Sequence, residues 1–231
     1  MKAWVFAALL FTQPTFAEAT VGRQDVATAA AGLASADPVA RTRAACELRA
    51  LGSGAAPLLS RLTAMLDDGS PVDAAVCGER TWRYRGAGAQ ESTSPGEQAA
   101  SALVAIGRPA QEPLTKALKG PVWIARKNAA WALGALDSSE AVPALIEALK
   151  DTDAGVREQV AWALGAIGDR RAVDGLIGAL SDSAAGVRKQ AAWALGALHD
   201  GRAVTALTKS LKDADAGVRK QAAWALGAIG G

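Results

Sequence analysis

The chain has 231 residues, with 25 basic and 23 acidic side chains and a net charge of +2. That near balance argues against a nucleic-acid partner, because polyanion binders carry a basic excess or stripe. Half of the residues are apolar but only 5% are aromatic, so the apolar mass is mainly alanine and leucine, a composition suited to closely stacked helices.

At the N-terminus, Lys2 precedes the apolar run from Ala3 to Phe11, and Ala17 and Ala19 offer small residues for cleavage. Residues 1–19 therefore read as a secretory signal peptide. The run is well short of the roughly 20 apolar residues that a membrane span needs, so no stable span is expected and the mature chain should be exported, periplasmic or secreted. In an oxidising compartment the two cysteines, Cys46 and Cys77, are expected to form a structural disulfide. The alternative is a buried Cys46 and a free surface thiol at Cys77.

Residues 20–66 carry degenerate repeats. An alanine-rich stretch at 24–35 predicts a helix, and Asp37 with Pro38 supplies an N-cap and an N1 proline for the next one. A further helix holds Leu58, Leu59, Leu62, Met65 and Leu66. Residues 67–95 then interrupt the period. Gly52 and Gly107 occupy equivalent places 55 residues apart, against a 31-residue repeat elsewhere. This insertion is polar, glycine-rich and without helical periodicity, so it reads as a long surface loop. It carries Trp82, Arg83, Tyr84 and Arg85, either as a binding loop on a rigid scaffold or as an excursion pinned only by Cys77.

From residue 96 to 231 the repeat is regular. "ARKNAAWALGAL" at Ala125, "VREQVAWALGAI" at Val156, "VRKQAAWALGAL" at Val187 and "VRKQAAWALGAI" at Val218 return every 31 residues. A fixed period of this length marks a solenoid. Between them run "EAVPALIEALKD", "RAVDGLIGALSD" and "RAVTALTKSLKD". In the middle copy Val173, Leu176, Ile177 and Leu180 share one helical face. Val156, Val160, Leu164 and Ile167 do the same in the other segment. Each repeat is thus two amphipathic helices, an AV helix and a VR helix, joined by turns such as Gly168–Asp169. The expected fold is all-α, a right-handed α-solenoid of about six stacked helix pairs. The last copy nearly repeats the interior ones, which predicts an unsealed C-terminal repeat that self-associates or continues in a longer relative.

These copies resemble HEAT repeats of the phycobilisome-lyase-like type, closely over residues 94–231 and loosely over 37–66. The resemblance implies VR helices along the concave side. It also implies a structural ladder of Asp151, Asp182 and Asp213 with Arg157, Arg188 and Arg219. The pattern departs at Arg126, where Gly120 stands in place of the aspartate.

Some enzymes share this repeat, among them bilin lyases and deoxyhypusine hydroxylases, the latter holding two irons with histidine and glutamate pairs. Here the one histidine, His199, replaces Gly168 at a turn position where a left-handed backbone is tolerated. Paired cysteines leave no zinc set and no obvious nucleophile. A non-catalytic chain without cofactor or metal is expected.

On a helical wheel from Val156, Trp162 falls at about 240°, opposite the apolar stripe. Trp131, Trp162, Trp193 and Trp224 would then line one face. Around them stand Lys127 and Asn128, Glu158 and Gln159, Lys189 and Gln190, Lys220 and Gln221. Aromatic anchors ringed by polar groups are the composition of a protein-binding surface, so a protein or peptide partner and a scaffold role are expected. The alternative is that the indoles cover the neighbouring repeat's alanines. Other readings are a HEAT-like lyase or accessory enzyme acting through the insertion, and a sensor or regulatory module for a separate effector protein.

Overall fold

The computed structural model describes residues 26–78 and 92–230. The expected signal peptide and the loop candidates Trp82, Arg83, Tyr84 and Arg85 lie outside the described residues.

The chain is an all-α solenoid. Its first pair is α1, residues 26–33, with α2, Pro38–Leu51. The second joins a 3-10 segment, Gly52–Leu58, and α3, Leu59–Ala64, to α4, Pro95–Ile106. Four regular pairs follow: α5 (Gln111–Ala117) with α6 (Trp123–Ala135), α7 (Val142–Ala148) with α8 (Ala154–Ile167), α9 (Val173–Ala179) with α10 (Ala185–Leu198), and α11 (Val204–Ser210) with α12 (Ala216–Gly230). Each regular AV segment opens with one 3-10 turn, for example Arg170–Ala172, which leaves only seven residues of α-helix.

Local chemistry sets these boundaries. The Asp37 carboxylate accepts the amides of Val39 and Ala40 at the start of α2, and the Asp153 carboxylate accepts that of Val156 in α8. At the VR helix ends the backbone turns left-handed, with φ of +72° at Gly168, +54° at Asp137 and +47° at His199. His199 is therefore a C-cap residue, and its Nδ1 lies 2.9 Å from the Ala197 carbonyl oxygen.

Burial follows the two predicted stripes. Leu145, Leu176 and Leu207 of the AV helices and Leu133, Leu164 and Leu195 of the VR helices are fully buried. Each such side chain contributes about 1.5–3 kcal/mol relative to exposure. The VR helices stack closely because glycine lies at the crossing. A Cβ added to Gly165 would fall 2.7 Å from both the Cα and the Cβ of Ala194, closer than real Cβ atoms approach. Gly134 meets Ala163 and Gly196 meets Ala225 in the same way.

The charge ladder differs from expectation in its register. Each arginine reaches forward to the aspartate of the following repeat, 25 residues on. Arg126 donates to both Asp151 oxygens (2.6 and 2.8 Å), Arg157 to Asp182 (2.7 and 2.8 Å) and Arg188 to Asp213 (2.8 and 2.9 Å). The third nitrogen returns to the arginine's own turn, as Arg157 does to the Asp151 carbonyl at 2.8 Å. The expected gap at Arg126 is therefore corrected: Gly120 need supply only a carbonyl, which it does at 3.0 Å. Arg219, expected as a ladder member, bonds only the carbonyls of Asp213 and Ala214 among the described residues. Arg41 and Asp68, 2.7 Å apart, form an unforeseen rung. One rung is missing as a unit, since Gly96 holds the arginine register and Gly120 the aspartate register of the same interface. Hydrogen bonds from Arg126 and Arg157 hold the carboxyls of Asp151 and Asp182 below the usual carboxylate range.

The described ends of the insertion form a two-stranded ladder. Val72–Asp73 (β1) pairs antiparallel with Ser92–Thr93 (β2), so its two ends meet. Cys77 is bonded to Cys46 of α2, which ties the outgoing strand to the VR row. Among the described residues no helix is long and apolar enough to cross a membrane.

Candidate functional site

The exposed stripe of each VR helix is set by what the stacking buries. In α8 the wheel leaves Gly155, Glu158, Trp162 and Ala166 outward, while Gly165 and Ala161 face neighbouring helices. The equivalent outward positions are Ile124, Lys127, Trp131 and Ala135 in α6, and Gly186, Lys189, Trp193 and Ala197 in α10. Indoles and charges thus run as two parallel rows along the stack.

The indoles both face outward and pack. Trp131, Trp162 and Trp193 are half-buried against the core, and Trp224 is 49% exposed. The rings of Trp162, Trp193 and Trp224 each lie over the glycine of the repeat before. Cζ3 of Trp162 is 2.9 Å from where a Gly134 Cβ would stand, and Cζ3 of Trp193 is 2.7 Å from that of Gly165. One ring edge is therefore seated in the stack, leaving the remainder toward the open face.

Two of the expected flanking residues turn inward. Asn128 and Gln159 are only 6% exposed, because their register, about 300° on the wheel, faces the adjoining repeat. The Asn128 amide donates to the Leu66 carbonyl at 2.9 Å. Gln98 occupies the same register in α4, is 1% exposed, and donates to Thr93 at 3.0 Å. The Asn128 amide thus satisfies a buried carbonyl of the preceding repeat, and the Gln98 amide a buried hydroxyl of its own repeat. Gln190 and Gln221 are half-buried. Lys127 and Glu158 remain half-exposed, and Lys189 and Lys220 are exposed.

Sequence reasoning missed Trp123, which is 45% exposed at the start of α6. Its signal was present: Trp123, Lys127 and Trp131 at i, i+4 and i+8 form one stripe. With Ile124, Lys127, Glu97, Thr93 and Pro71 it borders a cavity of about 190 Å³ where β1 and β2 meet α6. That volume suits one side chain and is below the range usual for whole small-molecule sites. No cluster of three or more histidine, cysteine or acidic residues that could hold a metal occurs among the described residues.

Comparisons with known proteins add to this geometry. A family model described as HEAT repeats matches residues 111–196 and 173–231. No curated protein matches. The CpcE and CpcF complex of phycocyanin lyase from Nostoc sp. is 27% identical, with 100% of this chain and 83% of that chain covered and a TM-score of 0.54. A designed armadillo repeat protein in complex with the peptide (KR)4 is 21% identical, covers 94% and 95% of the two chains, and has a TM-score of 0.53. The Kap95:Nup1 complex is 15% identical with a TM-score of 0.65, and the match spans 93% of this chain but 31% of that one. The last two likenesses speak for the solenoid fold alone. Repeat period, helix pairs, glycine-seated stacking and the family match lead to one conclusion: the chain belongs to the HEAT-repeat family.

Proposed function

We propose that this protein is a non-catalytic binding or scaffold module, exported from the cell, whose VR-helix face holds an extended peptide or a protruding element of a partner protein. The observation that carries this reading is the row Trp131, Trp162, Trp193 and Trp224, repeated without slip on the outward stripe beside a row of charges. Half-seated rings are stiff anchors, because packing against the glycine has already removed their rotamer freedom. Solenoids of this fold have been solved in complex with the peptide (KR)4 and with Nup1. The cavity beside Trp123 offers an anchor pocket at one end of the row.

A displayed peptide library panned on the mature protein tests this. Selected peptides should lose binding to a Trp162→Ala, Trp193→Ala double variant that keeps its helical circular dichroism. Selected binders unaffected by the double change would refute the groove.

A second reading rests on the similarity to CpcE and CpcF of phycocyanin lyase: an accessory enzyme acting on a partner protein. Visible absorbance retained by the purified chain would favour it over the scaffold.

A further inference from the structure

Four residues before the indole register, each VR helix from α4 to α12 carries one ionisable side chain: Glu97, Lys127, Glu158, Lys189 and Lys220. Their signs along the stack run negative, positive, negative, positive, positive. The contrast with the arginine ladder is sharp. Every ladder arginine from Arg126 to Arg188 is held by a carboxylate, whereas none of these five makes an ion pair among the described residues. The row also leans along the stack. The Glu158 carboxylate lies over Gly186, and Lys189 Cδ is 3.5 Å from where a Gly217 Cβ would stand, so glycine leaves room for the preceding repeat's side chain.

Adjacent packed helices are about 8–10 Å apart. A polyproline II chain advances about 3.1 Å per residue with three residues per turn, hence about 9 Å between side chains on one face. A β-strand puts residues three apart on opposite faces, so it cannot present one charge to every helix. Aromatic-lined grooves are also the usual seat of polyproline II segments. Resting on the groove reading above, we infer that the occupant is a polyproline II peptide with a charge at every third residue. Read from α4 to α12 those charges are basic, acidic, basic, acidic, acidic, and the residues between them lie on the indoles. Like charges set opposite each other exclude other segments, so the row sets specificity more than affinity.

The test uses four synthetic 15-residue peptides of proline and alanine. One has lysine at positions 2 and 8 and glutamate at 5, 11 and 14; a second inverts all signs; the other two reverse the order of each. Fluorescence anisotropy at low ionic strength should show one matched peptide binding about tenfold tighter than its inverted counterpart, the sum of several exposed pairs that are individually weak, with the preference fading in salt. The Lys127→Glu, Glu158→Lys, Lys189→Glu variant should prefer the inverted peptide. Equal affinities that still vanish in the Trp162→Ala, Trp193→Ala variant would overturn the charge pattern alone. Binding that survives loss of the indoles would overturn the groove itself. No binding by any of the four would overturn the polyproline II occupant.

Discussion

The first stacking interface, between α2 and α4, and the regular ones from α6 to α12 close the same seam with different chemistry. In the regular copies a glycine admits the next helix's alanine and the edge of its indole, as Gly165 does for Ala194 and Trp193. In the first interface Arg49 stands at the glycine register and Ser101 at the indole register, so neither partner of that contact exists. Cys46 takes the indole register of α2 and is bonded to Cys77 instead. Gly96 makes a close approach within its own repeat, where its amide donates to the Asp68 carbonyl at 2.9 Å. A Cβ there would stand 2.8 Å from the Leu66 carbonyl oxygen. The first seam therefore closes without ring or glycine, keeping its Arg41–Asp68 rung and gaining a covalent tie.

The largest effect should come from cutting that tie. Cys46→Ser in the mature protein should destabilise the N-terminal interface by about 3–4 kcal/mol on chain-entropy grounds. In urea a first transition should then separate from the unfolding of the regular copies, because solenoid repeats couple only to their neighbours. Coincident transitions at the original midpoint would show that the tie is dispensable.

Breaking a rung comes next. Asp182→Ala should cost about 1.5–3 kcal/mol, toward the low end because the pair's edge is in water. The rung also sets a pH dependence. Because the folded-state pKa values of Asp151 and Asp182 are lowered, their stabilisation is fully present above the ordinary carboxylate range. It is lost as pH falls through the depressed folded values. Urea midpoints measured from neutral pH downward should hold until about pH 4 and then fall, with a shallower fall in the variant.

The smallest effects compare two glycines of one register. Gly165→Ala should cost about 1–3 kcal/mol by overpacking. Gly227→Ala, with nothing within 4 Å of the new methyl, should stabilise α12 by up to about 1 kcal/mol. Equal thermal shifts for the two would mean that the seam tolerates a methyl and that glycine is not what draws the helices together.

Much of this was legible because a 31-residue period multiplies every local signal. The helix pairs, the outward indoles and the left-handed position of His199 all follow from comparing copies of one segment. The ladder register was not legible. An aspartate lies 6 residues before Arg157 and Arg188 and another 25 after each, and both spacings obey the period, so only the direction in which the guanidinium reaches distinguishes them. Asn128 and Gln159 were misplaced for a related reason: at about 300° on the wheel a residue is outward on a lone helix and inward once a neighbour stacks. Trp123 breaks the pattern of its register, where later copies have alanine, so comparing copies does not reveal it. Strands of two residues carry too little alternation to be read.

On the proposed function the indole row is a binding face as well as packing. The most direct measurement is fluorine NMR of the mature protein labelled with 5-fluorotryptophan, its resonances assigned by single substitutions, during titration with a peptide selected by panning. Saturable shifts are expected at Trp131, Trp162 and Trp193 together, at one common affinity. Resonances from these three that stay unmoved while the peptide binds would place the site elsewhere and leave the row as packing alone.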